Sequence, residues 1–263
     1  MNLPTAHKLV DTHTHLDELE NLDFELEEAK KAGVIAIVAV GSNLRSNVRT
    51  LEISQKYPRF IHPALGLHPW ELANLGTAEI EDNLRFIEQN IASAVAVGEI
   101  GLDYDKSVLK VTSKELQKDV FGRLLKIART FGKPAIIHSR YAWTDALRIV
   151  QDARVDKAVF HWFTGFSGVL KDIINSGYFI SATPAAEYHE EHRRAIKEAR
   201  LERLLLETDC PVTYGRAVKY ESRPADILRS LAAVAELRGI AEAEIADETT
   251  KNAIEFFSLG VAF

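Results

Sequence analysis

A chain of 263 residues, 46% hydrophobic and 27% charged, is long enough for two small domains or one α/β barrel. Its formal net charge of −6 argues against a broad basic surface for duplex nucleic acid. Bound cations and a few arginines could still supply local positive charge for a phosphodiester substrate. The single cysteine, Cys210, excludes a disulfide framework, and the sequence has neither a signal-like start nor an apolar run of 18 residues. We therefore expect a cytoplasmic protein that does not span a membrane.

Short apolar runs alternate with amphipathic segments along the chain. Runs without polar alternation, such as 34–40, are typical of strands buried on both faces of a parallel sheet. The segments between them carry apolar residues at helical spacing, and the first ends at Gly33. The predicted strands are 7–10, 34–40, 59–67, 94–97, 134–137, 157–160, 178–181 and 204–206. The predicted helices are 21–32, 43–56, 78–90, 113–131, 143–153, 168–176, 186–199, 224–238 and 241–257.

This alternation predicts parallel βαβ units, and eight of them favour closure into a (β/α)8 TIM barrel over an open doubly wound sheet. The barrel would carry extra helices at its C-terminal end. No linker-like or low-complexity segment divides the sequence, which indicates one domain over residues 1–263. The phosphate-binding patterns GxGxxG and GxxxxGK[ST] are absent.

Polar side chains that can bind metal ions follow the predicted strands at one place in each unit. Because the carboxyl ends of barrel strands share one mouth, we expect these side chains to meet there. The first two are histidines two residues apart, which point to the same side if the first strand continues through them. The set is His13, His15, His68, Glu99, His138, His161 and Asp209.

This set exceeds what one catalytic zinc ion needs, since such an ion takes three protein ligands and keeps one position open. Six ligands with a shared carboxylate suit two divalent ions about 3.5–4 Å apart. We assign four ligands to one ion: His13, His15, Glu99 and Asp209. Glu99 as the bridge, His138 and His161 would bind the other. A hydroxide held by the ions would be the nucleophile, and Asp209 would orient that water and accept its proton. The ions could be Mg²⁺, Zn²⁺ or Mn²⁺, because nitrogen and oxygen ligands accept each of them.

Other residues near the predicted mouth are candidates for substrate contact or support. His68 is a candidate substrate contact, with a turn residue before Pro69 as the alternative. Arg140, Arg216 and Arg223 could pair with phosphate, although solvated surface positions would explain them equally. Glu207 could contact a metal-binding side chain on the side away from the ion and so orient it. Trp70, Tyr104, Trp162 and Phe163 could stack on a base, or they could only pack. We interpret the remaining histidines as solvated or core residues: His7, His62, His189 and His192.

Six runs resemble, in order, the signature motifs of TatD-type metal-dependent hydrolases of the amidohydrolase superfamily. They are DTHTHLD at 11–17, GLHP at 66–69, GEIGLDY at 98–104, IHSR at 137–140, HWFTG at 161–165 and ETDCP at 207–211. The resemblance covers nearly the whole chain and implies a TIM barrel, a two-metal site and deoxyribonuclease activity, with the same six ligands. The chain departs from the family at 212–224, which reads VTYGRAVKYESRP where the family has a Pro- and Arg-rich stretch and an Asn-Glu-Pro. Trp162 also stands where the family often has Cys.

We therefore predict a hydrolase that cleaves DNA, with Glu99 and Asp209 as catalytic residues. The negative net charge favours a chain end held in the mouth, which suggests a 3′–5′ exonuclease on single-stranded or frayed ends. One alternative is hydrolysis of an ester, amide or lactone, including deacylation of aminoacyl-tRNA. In that reaction the same hydroxide would attack carbon in place of phosphorus. Another is a non-enzymatic, metal-stabilised scaffold, which the excess of ligands around an open mouth disfavours. DNA is the predicted partner, and the oligomeric state stays open.

Overall fold

The computed structural model describes residues 7–261, and its main feature is an eight-stranded parallel sheet whose strands are paired in chain order. The sheet closes on itself because the chain after the last strand binds the first: Asp209 N donates to His13 O and His15 N donates to Cys210 O, both at 2.9 Å. This arrangement confirms the predicted TIM barrel. The strands are β1 (Leu9–Thr14), β2 (Val34–Val40), β3 (Ile61–Leu65), β4 (Ala96–Gly101), β5 (Ala135–His138), β6 (Ala158–Phe160), β7 (Phe179–Ala182) and β8 (Leu204–Leu206).

One helix follows each strand, and a ninth helix ends the described part of the chain. Of the two predicted C-terminal helices, the first completes the eighth unit and the second is the addition to the barrel. None of the helices within residues 7–261 combines the length and apolar character needed to cross a lipid bilayer. The helices are α1 (Leu22–Lys31), α2 (Leu44–Lys56), α3 (Thr77–Asn90), α4 (Lys114–Thr130), α5 (Trp143–Ala153), α6 (Ser167–Asn175), α7 (Glu190–Glu198), α8 (Ile227–Arg238) and α9 (Glu242–Phe257).

The apolar side chains form two clusters, as the alternation of side chains along barrel strands requires. The larger cluster lies between the strands and the surrounding helices. The smaller one joins alternate strand residues to the end of α9, where Phe256 lies 4.9 Å from Phe179 between ring centroids. The strand residues of this inner cluster are Val10, Ala36, Val38, Val40, Ala64, Ala96, Ile136, Val159, Phe179 and Leu205. The barrel interior is therefore filled, and only its mouth is available for a site.

Two elements near the mouth differ from the sequence-based prediction. Strand β4 continues to Gly101, so Glu99 lies within the strand and not after it. Gly101 allows close contact between β4 and β5, because a Cβ on it would lie 1.9 Å from His138 O. The predicted helix 186–199 is broken into a 3-10 turn, Pro184–Glu187, and helix α7.

The chain between β8 and α8 forms a hairpin that the sequence did not predict. It consists of β9 (Thr213–Tyr214) and β10 (Tyr220–Glu221), paired antiparallel. Tyr214 is fully buried, and its hydroxyl donates to Thr208 O at 3.0 Å. The hairpin is therefore fastened to the end of β8, next to Asp209.

Candidate metal centre

The predicted metal ligands meet at the mouth of the barrel, at the bottom of a cavity of about 1130 Å³. Strand β1 brings His13, β4 brings Glu99 and β5 brings His138. His161 follows β6, and Asp209 follows β8. Their convergence follows from the parallel sheet, since the carboxyl ends of all eight strands face one side.

Four donor atoms form a compact first group. His13 Nε2 lies 3.4 Å from His15 Nε2, 3.3 Å from Glu99 Oε2 and 3.4 Å from Asp209 Oδ1. His15 Nε2 lies 3.4 Å from Glu99 Oε2 and 3.5 Å from Asp209 Oδ1. A tetrahedral cation with ligand distances of 2.0–2.1 Å separates its ligands by about 3.3–3.4 Å. The distances from the two histidines to each other and to the two carboxylates therefore match the ligand spacing of one such cation, and His13, His15 and Asp209 could hold it together.

A second group of donors surrounds the other oxygen of the same carboxylate. Glu99 Oε1 lies 2.9 Å from His138 Nδ1 and 2.7 Å from His161 Nε2, and these two nitrogens are 3.3 Å apart. The Glu99 side chain is only 3% exposed, so its two oxygens are held between two imidazole pairs. The two oxygens of Glu99 thus face different donor groups.

Two buried carboxylates lie behind the donors, and one of them is hydrogen-bonded to its imidazole ring. Asp103 Oδ2 lies 2.9 Å from His138 Nε2, which leaves Nδ1 of that ring facing Glu99. Glu207 Oε1 lies 3.5 Å from His161 Nδ1, which leaves Nε2 facing Glu99. A carboxylate behind a metal-binding histidine fixes the tautomer and raises the basicity of the ring.

His68 lies at the edge of the second group, and its pKa is lowered, whereas the pKa values of His138 and His161 are raised. Its Nδ1 accepts a hydrogen bond from Trp70 N at 3.2 Å, and burial lowers its pKa to about 4. The ring is therefore neutral, and Nε2 carries the proton. This N–H faces the cavity 3.5 Å from Glu99 Oε1. His68 is accordingly a hydrogen-bond donor in this arrangement, next to the Glu99 and His138 donors with which it could also hold a cation.

The neighbouring carboxylates and imidazoles shift one another's pKa values towards their charged forms. Burial would raise the pKa of Glu99, but the surrounding imidazoles, first that of His161, hold it well below its usual range. Burial would likewise raise the pKa of Asp209, yet the hydrogen bond with His15 lowers it. The pKa values of His15, His138 and His161 are raised by their carboxylate partners in spite of burial. Without a cation, the site is therefore a set of ionised carboxylates paired with protonated imidazoles.

Asp11 is a buried residue of the site that sequence reasoning did not assign. Its carboxylate accepts hydrogen bonds from Thr208 N at 3.0 Å, from Thr208 Oγ1 at 2.5 Å and from His13 N at 3.3 Å. Burial raises its pKa to about 7. Asp11 therefore joins the ends of β1 and β8, which carry two of the ligands. Its position in the first motif was the only sequence signal for this role.

The three candidate arginines lie in different places. Arg140 lines the cavity and lies 3.3 Å from Asp105. Arg216 does not line the cavity, and its guanidinium donates to Tyr188 O at 2.6 Å. Arg223 pairs with the buried carboxylate of Glu25 on α1. Only Arg140 is therefore placed where it could meet a substrate at the metal centre.

Five further side chains that the sequence singled out have different surroundings. Trp70 and Trp162 line the cavity, whereas Phe163 is buried in the core. Tyr104 is half-buried, and its hydroxyl donates to Asp145 at 2.8 Å. His192 is a core residue as interpreted, since its ring bonds Phe163 O at 3.0 Å and Thr183 N at 3.1 Å.

Comparison with known proteins agrees with this geometry. The sequence profile of the family described as TatD related DNase matches residues 10–258. The chain belongs to the TatD family. Deoxyribonuclease TATDN3 of Homo sapiens is 30% identical over 259 residues, which cover 95% of this chain and 94% of that protein. The uncharacterized metal-dependent hydrolase YabD of Bacillus subtilis is 32% identical over 264 residues, covering 95% and 99%.

A solved structure of a TatD homologue extends the comparison to the fold. The crystal structure of YJJV from Escherichia coli matches with a TM-score of 0.86 and 28% identity, over 97% of this chain and 99% of that one. The TatD chain is thus a metal-dependent hydrolase acting on ester bonds, of the deoxyribonuclease type. Family membership favours DNA cleavage over the ester, amide or lactone alternative and over an inert scaffold.

Proposed function

We propose that this TatD protein is a two-metal deoxyribonuclease that removes nucleotides from the 3′ ends of single-stranded or frayed DNA. The observation that carries the proposal is the division of the Glu99 carboxylate. Its Oε2 lies 3.3 Å from His13 Nε2, and its Oε1 lies 2.7 Å from His161 Nε2. A carboxylate held between two imidazole groups can bind two cations at once. Two divalent ions such as Mg²⁺, Zn²⁺ or Mn²⁺ match the nitrogen and oxygen donors.

When bound, a pair of divalent cations would lower the pKa of a water molecule and offset the negative charge of a phosphodiester. The residues of the chain supply the remaining steps. Asp209 borders the cavity and is ionised, so its carboxylate can accept the proton that the attacking water loses. Its backbone N–H is bonded to His13 O, and its Oδ1 lies 3.4 Å from His13 Nε2 and 3.5 Å from His15 Nε2, which holds the carboxylate against the end of β1. Glu99 contacts both donor groups and fixes their relative position.

His68 and Arg140 are the substrate contacts in this proposal. The Nε2–H of His68 faces the cavity, where it can donate to a phosphate oxygen beside the second donor group. Arg140 lies farther out on the cavity wall, and its guanidinium can pair with the next phosphate along the strand. Arg216 has no such position, so we assign it no contact with the scissile phosphate.

The depth of the donors supports action at strand ends. The side chains of His13 and Glu99 are 0% and 3% exposed, so a phosphodiester must enter the cavity to reach them. A single chain end can do this, whereas the middle of a duplex presents its phosphates on a wide, stiff surface. The net charge of −6 also disfavours extended contact with a duplex. The single, buried cysteine Cys210 is consistent with a reducing compartment, and we propose the cytosol as the place of action.

The proposal is tested with single-stranded oligonucleotides of equal sequence, labelled at the 5′ or the 3′ end, and with a circular single strand. The metal-loaded protein should shorten the linear strands from the 3′ end and leave the circle intact. Glu99→Gln should reduce the rate by at least about 100-fold, because it removes the charge between the two donor groups. EDTA should abolish the activity.

Glu81→Gln is the matched control for the loss of a carboxylate. Glu81 also forms an ion pair, with Arg123 at 2.6 Å, but it lies on helix α3 outside the cavity. Its variant should keep the full rate. Cleavage of the circle would refute the requirement for ends, and activity that survives Glu99→Gln or EDTA would refute the metal-dependent reaction. A p-nitrophenyl ester assayed on the same preparation tests attack on carbon.

A further inference from the structure

One wall of the cavity is made of aromatic side chains that the metal chemistry does not use. Tyr141, Trp143 and Phe166 line it, and we call these three residues the aromatic wall. Tyr141 is 58% exposed and Phe166 is 69% exposed. The Trp143 ring lies between them, with its centroid 5.9 Å from that of Tyr141 and 5.3 Å from that of Phe166. Such exposure of large aromatic rings at the edge of an active site indicates a ligand surface.

The aromatic wall is held in place by its surroundings. Gly165 lies so close to Trp143 that a Cβ there would be 2.6 Å from Trp143 Cγ. The Arg194 guanidinium donates to Gly165 O and, at 2.5 Å, to Ser167 Oγ, on either side of Phe166. The loop that carries Phe166 is therefore fixed against the ring of Trp143.

Charge is distributed unevenly around the cavity. The arginines that line it, Arg140 and Arg194, lie on the side of the aromatic wall. The Arg140 guanidinium is 5.6 Å from the Tyr141 ring centroid. Glu18 and Glu71 line the opposite side, after β1 and β3. A third acid, Glu191, lines the cavity at the start of α7 beside His189. Two guanidinium groups thus lie beside the aromatic wall, although each is also near an acid, Asp105 for Arg140 and Glu198 for Arg194.

We propose that the aromatic wall is a subsite for an unpaired nucleobase of the DNA strand whose phosphodiester lies at the metal centre. This inference rests on the proposed function and specifies how its substrate is recognised. An unpaired base has a free π-face that can stack on Tyr141 or Phe166, while Arg140 pairs with the adjacent phosphate. A paired base in a duplex has no free face. The subsite therefore selects single-stranded or frayed ends by stacking, without reading the sequence.

The test compares two fluorescently labelled hexathymidylates that differ in one feature. One carries all its bases, and the other carries abasic residues at its last two 3′ positions. Binding is measured by fluorescence anisotropy in the Asp209→Asn background, where slow turnover allows equilibrium. The proposal predicts that the complete strand binds at least about fivefold more tightly, the lower limit for the loss of one base–aromatic stack.

The variants locate this preference on the protein. Tyr141→Leu combined with Phe166→Leu should weaken binding of the complete strand at least about fivefold and leave binding of the abasic strand unchanged. Phe131→Leu is the control, because Phe131 is 43% exposed but lies at the end of α4, remote from the mouth. Unchanged metal content and circular dichroism spectra verify that the variants are folded.

The outcomes separate this inference from the proposed function. Equal binding of both strands by the parent protein, or an equal loss for both strands in the double variant, would overturn the aromatic subsite even if the protein cleaves DNA. A base-dependent binding that the double variant loses supports the subsite even if hydrolysis proves to have another polarity. Absence of any DNA cleavage by the metal-loaded parent would overturn the proposed function alone, since binding is measured independently.

Discussion

The carboxylate of Asp103 lies 2.9 Å from His138 Nε2 and accepts a hydrogen bond from Trp70 Nε1 at 2.6 Å. This contact turns the other nitrogen of His138 towards Glu99. The Asp103 backbone is in turn clamped by Gln117, whose side chain bonds both its N–H and its C=O. The orientation of one metal-binding ring is thus set by a chain of buried contacts that reaches helix α4.

Asp103→Ala is expected to weaken binding of the cation next to His138 by about 10- to 100-fold, because the ring loses the partner that fixes its tautomer. Isothermal titration calorimetry with Mn²⁺ measures this. Asp119→Ala, on the exposed side of α4, is the control and should bind both cations normally. An unchanged affinity in Asp103→Ala would show that the contact has no part in metal binding.

The division of ligands between the two donor groups predicts which variants lose which cation. His15→Ala should lose the cation held with Asp209 and keep the other, and His138→Ala should do the reverse. Each variant should therefore retain about one equivalent of metal, as determined by elemental analysis after gel filtration. His7→Ala, outside the site, should retain two. Loss of all metal from both single variants would contradict the assignment of separate groups.

The affinity for metal should rise with pH. In the absence of a cation, the raised pKa values of His15, His138 and His161 keep these rings protonated above the usual histidine value of about 6.5. A cation must displace those protons, so binding releases protons and weakens on acidification. Glu99 and Asp209 have lowered pKa values and stay ionised throughout this range. Calorimetry in buffers of different ionisation enthalpy should detect proton release, and an affinity independent of pH from 6 to 8.5 would contradict it.

The inner core should affect stability without affecting the chemistry. Phe256 is 2% exposed and packs on Phe179 inside the end of the barrel away from the mouth. Phe256→Ala should lower the free energy of unfolding by about 3–5 kcal/mol through lost burial and the resulting cavity. Urea denaturation measures this change, and metal affinity at low temperature should be unchanged. An unchanged free energy of unfolding would indicate that this end of α9 does not pack into the barrel.

The fold and the convergence of the candidate ligands were predictable because both leave local signals. Buried parallel strands read as apolar runs, and the strand ends then place His13, Glu99 and Asp209 on one side without any knowledge of distances. Glu99 was nevertheless expected after its strand, because the predicted strand ended at Val97. In the structure β4 continues to Gly101, where the glycine allows neighbouring strands to approach closely.

Residues that act through long-range contacts could not be predicted in the same way. Asp103 and Asp11 lie within recognised motifs, but their partners His138 and Thr208 are 35 and 197 positions away. The aromatic wall likewise joins two loops that are separate in sequence. Arg216 was a plausible phosphate contact by residue type alone, and only the hairpin of residues 213–221 shows that it lies outside the cavity.

The central claim is that Glu99 bridges two cations, and electron paramagnetic resonance of the Mn²⁺-loaded protein tests it most directly. The account predicts two Mn²⁺ ions per chain with an exchange-coupled spectrum, and Glu99→Gln should abolish that coupling. A spectrum of isolated ions in the parent protein, or coupling that persists in Glu99→Gln, would contradict the claim.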